Sequence, residues 1–365
     1  MSENSLQDLD RQLVELLGKR IALLGRSNPN ELSEDSTIEP SELQKAGVPA
    51  FVWRNVATSC TAALARSPLT TEGEPSRRIA IVGGKGMMGR FFQERFETAG
   101  HEVRLLGRTD WDDAETLLGD VDLALISVPI DRTLDIVRDT AKYLSPTTVL
   151  ADITSIKAPI VETMLDAHSG PVVGLHPMFG PGVESFLSQK VAICPGREPE
   201  AWQWLVELMD RDGGDLVYCT PEEHDRMMVT IQAIRHFSTF GLGVFLADEN
   251  IDIGRSLDLS SPIYRMSIDM VSRLFGQDAS LYADIMLANA ERRDAIARLA
   301  ETFTRLAKLV RTKDRQELIE AFHQATSTFG DETERAVRES DRLIDAMSVL
   351  LAADRVVQRQ TPPQP

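Results

Sequence analysis

A histidine in a Pro/Gly-rich segment, Gly174-Leu-His-Pro-Met-Phe-Gly-Pro181, is the residue best suited to acid–base chemistry. His176 follows a β-rich run at residues 171–175, and in an open α/β sheet ligands bind outside the carboxyl ends of the strands. An imidazole titrates near neutrality, so it can take a hydroxyl proton while a hydride leaves the same carbon. A structural histidine bonded inside the turn is the competing role. Ser155 and Lys157, in Ala151-Asp-Ile-Thr-Ser-Ile-Lys157, follow another strand end and can face the same crevice; a helix cap and a solvated charge would use the same residue types.

Further candidates lie beyond residue 220. Glu223-His224-Asp225 precedes His236 by about three and a third helical turns, so His224 and His236 can share a helix face. A charged helix start would look the same. Arg265 and Arg273, in Ser260-Ser-Pro-Ile-Tyr-Arg-Met-Ser-Ile-Asp-Met-Val-Ser-Arg273, fall nearly on one face. Two guanidinium groups on an apolar helix of an acidic chain suit a small molecule with more than one carboxylate; pairing with a nearby Asp or Glu is the alternative.

Arg77-Arg78-Ile-Ala-Ile-Val-Gly83-Gly84-Lys85-Gly86-Met87-Met88-Gly89-Arg90 sets a GxGxxG pattern between a strand and a helix. Gly84 would permit the tight turn, Gly86 the approach of backbone to a pyrophosphate, and Gly89 the close packing of helix on strand. The pyrophosphate would meet the N–H groups of the following helix, with Met87 and Met88 at the same turn. Such a site takes NAD or NADP. An NAD site usually ends its second strand with Asp or Glu, but here Val103-Arg-Leu-Leu106 runs into Gly107-Arg108. Arg108 can meet a 2′-phosphate, stack on adenine or face water. Ser127, Val128 and Pro129, ending the next strand, would line the nicotinamide side.

The elements that must hold these residues fall into zones. Residues 1–66 are helical in pattern, with Leu6, Leu9, Leu13, Leu16, Leu17, Ile21 and Leu24 on one face, and residues 67–76 form a Pro/Gly/hydroxyl-rich linker. From residue 77 to 220, β-rich runs at 79–83, 102–106, 123–129, 148–153, 171–175, 191–194 and 216–219 alternate with helices, which predicts a mostly parallel, doubly wound Rossmann-type sheet. Residues 221–353 read as amphipathic helix with breaks near 249–257, 276–279 and 329–331. Their apolar stripes exceed what one thin layer covers, which suits a homodimer. Residues 354–365 are expected to be a disordered tail. The fold class is therefore α/β with added helical parts at both ends. The net charge of −17, from 39 basic and 56 acidic side chains, disfavours nucleic acid and anionic membranes as partners. No apolar run reaches the ~20 residues of a membrane span, and the opening Met1-Ser-Glu-Asn-Ser has neither a basic start nor an apolar run, so no signal peptide and a cytoplasmic enzyme are expected. Cys60, Cys194 and Cys219 lack a CxxC pair; no metal site is expected, and they read as buried, inert thiols.

Taken together, Gly174-Leu-His-Pro-Met-Phe-Gly-Pro, Asp152…Ser155-Ile-Lys157, Glu223-His-Asp and Ser260-Ser-Pro-Ile-Tyr-Arg resemble the prephenate dehydrogenase family, in particular the enterobacterial type with chorismate mutase fused ahead of the dehydrogenase. The resemblance runs from about residue 5 to residue 350. It implies oxidative decarboxylation of prephenate to 4-hydroxyphenylpyruvate in tyrosine biosynthesis: hydride leaves C4 for the nicotinamide, the 4-hydroxyl loses its proton and the ring carboxyl departs as CO2. It further implies that His176 is the base or hydrogen-bond partner at the 4-hydroxyl with Ser155 assisting, and that Lys157 lies near the ring. Arg265, Arg273 and His236 would hold the carboxylates, His224 is a weaker substrate-site carry-over, and the helical domain would dimerise.

Two departures from the family pattern matter. Gly107 stands where NAD-using relatives usually carry an acid. In the mutase-like segment Arg20 matches an active-site arginine, but the upstream arginine would fall near Glu3, the following lysine falls in Asn28-Pro-Asn-Glu31, and the stretch that supplies further charged groups is shortened to residues 33–40. Mutase catalysis rests on cations around two carboxylates, so a vestigial mutase segment is expected. The alternatives are the same oxidation on 4-amino-4-deoxyprephenate, a truly bifunctional enzyme, and a non-catalytic binder of tyrosine or cofactor.

Overall fold

The computed structural model describes residues 5–26, 38–70 and 73–360. The chain divides into two compact units after Asp225. That boundary lies inside a helix that begins at Pro221, a few residues beyond the expected one.

The first unit opens with α1 (Leu6–Leu24), α2 (Pro40–Lys45) and α3 (Ala50–Ala62). The Ser5 side chain accepts from the Asp8 N–H and so caps α1. Arg20 lies with its guanidinium 5.2 Å from the centre of the Trp53 ring, and one of its terminal nitrogens is buried without a hydrogen bond among the described residues. The other positions weighed for mutase chemistry, Glu3, residues 28–31 and most of 33–40, lie outside the described residues. Arg66 anchors the segment: its Nε donates to the fully buried Asp212 carboxylate at 3.0 Å, and the Ser67 N–H donates to the Arg211 carbonyl at 2.7 Å.

The sheet follows as β1 (Arg78–Val82), α4 (Met87–Thr98), β2 (Glu102–Leu106), α5 (Ala114–Leu118), β3 (Leu123–Ile126), α6 (Ile130–Ala141), β4 (Val149–Asp152), α7 (Ala158–Ala167), β5 (Val172–Pro177), β6 (Lys190–Arg197), α8 (Pro199–Arg211) and β7 (Asp215–Tyr218). Its seven strands lie in the order β2-β1-β3-β4-β5-β6-β7. All neighbours run parallel except β5 and β6. The central strands are buried along their whole length because helices cover both faces, which is why they read as unbroken apolar runs. Phe92, Phe96 and Trp202 from the covering helices pack with Ile79, Leu123 and Leu175; burying one such side chain stabilises the fold by about 1.5–3 kcal/mol. The order reverses between β1 and β3, which opens a crevice at their carboxyl ends.

The second unit is helical: α9 (Pro221–Met228) leads into it through a π-helical turn, Val229–Ile234, then α10 (Arg235–Asp248), α11 (Ile253–Asp258), α12 (Pro262–Phe275), α13 (Ala279–Leu287), α14 (Ala290–Thr312), α15 (Arg315–Phe329) and α16 (Glu332–Gln360). The π turn overturns the α-helical arithmetic for His224 and His236, since its residues do not advance by 3.6 per turn. The tail expected to be irregular from residue 354 is helical to Gln360, and 361–365 lie outside the described residues. No helix among the described residues is long and apolar enough to cross a membrane.

Candidate active site

The glycine loop joins β1 to α4. Gly83, not Gly84, makes the turn: its φ is +85°, and a Cβ there would stand 2.1 Å from the Ser127 carbonyl oxygen. Gly89 lets α4 pack close, because a Cβ on it would lie 2.5 Å from the Gly84 Cα. Gly86 is the N-cap of α4 and has no side chain to satisfy the first-turn N–H groups. Those donors and the positive end of the helix are left for an anion. Ser127, Val128 and Pro129 follow β3 directly, across the reversal point from the loop. The residues present therefore fit a dinucleotide: a cradle that any Cβ would fill, beside uncapped amides.

His176 is the penultimate residue of β5 rather than the residue after it, paired with Ala192 of β6. It is 3% exposed. Its Nδ1 is 2.8 Å from Nε2 of His224, and Nδ1 of His224 is 2.8 Å from Oδ1 of Asp225. The Asp225 carboxylate also accepts from the backbone N–H of Lys157 at 2.8 Å and of Ala158 at 2.9 Å, and so caps α7 from a distant part of the chain. Burial works against the charge on Asp225, but the bonds from His224, Ala158 and Lys157 outweigh it and hold the carboxyl below its usual range. An ionised Asp225 makes His224 Nδ1 a donor. Neutral His224 then accepts at Nε2 from the His176 Nδ1–H, and the His176 lone pair falls on Nε2. The arrangement is that of a base whose protonated form is stabilised from behind.

Lys157 departs from expectation. Instead of an ammonium near a substrate ring, the structure has a fully buried side chain whose Nζ donates to the equally buried Asp152. Asp152 Oδ2 accepts from the Thr154 N–H at 2.9 Å as well. A charge cannot be left alone in that interior, so Lys157 is held by Asp152 and shapes the loop whose amides bond Asp225. Ser155 is half-buried in the same loop. Cys194 and Cys219, far apart in sequence, bring their sulfurs to 3.8 Å, and burial pushes both thiols up, which keeps them protonated.

In the second unit His236 is 8% exposed and meets Tyr282 edge-on, with ring centres 4.8 Å apart. Burial, then the charges of Arg235 and Arg292, push His236 down to about 4. It is neutral at pH 7, so it can hydrogen-bond an anion but adds no charge. Arg273 lies close enough to Tyr282 for its charge, with that of Arg235, to oppose the upward push of burial on the phenol. Arg265 is half-buried and Arg273 exposed on α12. Because the folded value of about 4 lies below the usual 6.5, the unfolded chain binds more protons between them. Stability is therefore full above pH 6.5 and falls as pH drops towards 4. Urea unfolding of wild type and His236→Gln across that window checks it: the variant should lose part of the slope, and an identical slope would rule out His236 as its source.

Two family models match the chain: the nucleotide-binding domain of prephenate dehydrogenase over residues 97–218, and the dimerization domain of prephenate dehydrogenase over residues 220–324. The chain belongs to the prephenate dehydrogenase family. The T-proteins of Haemophilus influenzae and Enterobacter agglomerans are each 36% identical across 93% of this chain and 95% of their own length. Matches that long take in the N-terminal helices as well. A 4-amino-4-deoxyprephenate dehydrogenase of Streptomyces pristinaespiralis is 27% identical over 74% of this chain and 97% of its own. Among solved structures, prephenate dehydrogenase from A. aeolicus in complex with hydroxyphenyl propionate and NAD+ shares the fold, with a TM-score of 0.57 at 19% identity over 70% of this chain and 98% of its own.

Within this prephenate dehydrogenase fold, Asp225, Arg235, Tyr282 and Arg292 were not singled out as candidates from the sequence. Asp225 was visible only as part of a charged helix start. Its signal is the spacing to His224 together with the loop amides it caps, and the amides belong to residues more than sixty positions earlier.

Proposed function

We propose that this chain oxidises and decarboxylates prephenate to 4-hydroxyphenylpyruvate. The observation that carries the reading is the bonded series Asp225–His224–His176 at the carboxyl end of β5, in a sheet whose reversal point bears the glycine loop. When bound, the nicotinamide supplies the hydride acceptor. Nε2 of His176 takes the 4-hydroxyl proton, with Ser155 as a second partner of that oxygen, and the positive charge formed on His176 is shared with His224 and balanced by Asp225. Arg265 and Arg273 are assigned to the substrate carboxylates, with neutral His236 as a hydrogen-bond partner. Loss of CO2 aromatises the ring and makes the reaction one-way.

The enzyme is read as a cytoplasmic homodimer formed through the helical unit, where Phe245, Leu259, Ile263, Phe322 and Phe329 are exposed. The N-terminal helices are read as mutase-like in fold only, Arg20 being engaged over Trp53. One purified-enzyme assay tests these substrate assignments, offering prephenate, 4-amino-4-deoxyprephenate, arogenate and chorismate in parallel. Prephenate should give the highest kcat/KM and chorismate no turnover. Preference for the 4-amino compound would replace the first assignment, and chorismate consumption at enzymatic rates would reinstate a working mutase.

A further inference from the structure

We infer that the adenosine end of the cofactor site is built to read a 2′-phosphate, with Lys85 and Arg108 as the reading residues, so that NADP is the preferred cofactor. The inference rests on the glycine loop being a dinucleotide site, and it concerns which dinucleotide that site selects.

The second strand ends at Leu106, and the next residue, where a ribose-binding carboxylate would sit, is Gly107. The space that such a side chain would enter is already filled. A Cβ on Gly107 would stand 3.0 Å from Cδ and 3.3 Å from Cε of Lys85, and 3.1 Å from Oδ2 of Asp110. Lys85, the second residue of the glycine pattern, thus lays its stem across Gly107 and carries its ammonium just beyond, onto Asp110 Oδ2. An ammonium cannot accept hydrogen bonds from a ribose diol. It can donate to a phosphate.

Asp110 is the carboxylate nearest to this position, and its oxygens are engaged inside the loop. Oδ2 accepts from Lys85 Nζ at 2.7 Å and from the Gly107 N–H at 2.8 Å, and Oδ1 accepts from the Thr109 hydroxyl at 3.0 Å. Lys85, then the Gly107 N–H, then Thr109 hold the Asp110 carboxyl at about 2. Three of the roughly four acceptor positions of Asp110 are already taken, so a ribose diol, which asks for two, is poorly served there. A 2′-phosphate calls on donors instead: it shares the exposed Lys85 and gains the exposed Arg108, which follows Gly107 directly. Asp110 also keeps Lys85 extended over Gly107, which reduces the ordering cost of binding.

The test is calorimetric binding of NADPH and NADH, and of the fragments 2′,5′-ADP and 5′-AMP, to the full-length protein. The phosphorylated member of each pair should bind roughly ten- to a hundredfold more tightly, as for one or two charge-assisted hydrogen bonds, with a preference that shrinks as salt is raised. Lys85→Ala should reduce that ratio to below about threefold, and Arg108→Ala should reduce it less. The double change Lys85→Ala with Gly107→Asp should invert it. NADH binding as tightly as NADPH overturns the inference and leaves the dinucleotide site standing, with Asp110 then bonding the ribose. An undiminished ratio in Lys85→Ala overturns the role of Lys85. Failure of every nucleotide to bind would remove both this inference and the glycine-loop reading beneath it.

Discussion

His176→Asn is expected to lower kcat for prephenate by ~10²- to 10⁴-fold, the usual worth of a positioned general base. KM should change little, because the carboxylates, not the 4-hydroxyl, supply most of the charge-assisted binding. Asp225→Asn addresses the step behind it. Asp225 bonds His224 and two backbone amides and makes no bond to His176, so it acts as a positioning residue. Losing its charge permits the other His224 tautomer and withdraws the balance for a protonated His176. A fall in kcat of about 10- to 100-fold follows if part of the base's contribution is lost. A merely structural defect would lower kcat without changing its pH dependence. Here the acid limb of the profile should also move to lower pH, since removing a nearby negative charge makes an imidazolium easier to deprotonate. Stopped-flow hydride transfer across pH 5–9 reads both effects. Full activity in His176→Asn would remove the base from the scheme, and an unshifted limb in Asp225→Asn would reduce that residue to a cap for α7.

What the sequence made legible follows from how local each signal is. The central strands could be read because strands buried on both faces must be short, continuous and apolar, as in Leu123–Ile126 and Val149–Asp152. His176 could be picked out because a strand end and a Pro/Gly segment flank it within a few residues. The π turn at Val229–Ile234 was hidden, since its apolar residues serve an α-helix equally well. Gly83 and Gly84 are adjacent, and only the close approach of the Ser127 carbonyl decides which of them turns the chain. Lys85 and Gly107 belong to different loops, so their shared space is a property of the folded sheet. Lys157 has a partner that one sequence does not reveal: depth in the interior pairs it with Asp152.

That buried pair carries the largest expected effect on stability. Lys157 and Asp152 are both fully buried, and one Asp152 oxygen has no hydrogen bond among the described residues. The pair is therefore only partly compensated for its desolvation, and breaking it leaves a charge with nothing to replace water. Asp152→Asn should cost about 3–5 kcal/mol, a fall in Tm on the order of 6–20 °C for a unit of this size. Lys157→Met leaves the buried carboxylate without its partner and should cost a similar amount. Replacing both residues, Asp152→Leu with Lys157→Met, should recover much of the stability, since an apolar pair of similar volume pays no desolvation. Activity need not return with it. The Lys157 and Ala158 amides that hold Asp225 depend on the path of this loop, so the double variant separates its two roles: a restored Tm with a depressed kcat would tie the buried pair to the histidine series. Single variants melting within about 2 °C of wild type would show that the interior here is wet enough to solvate a lone charge.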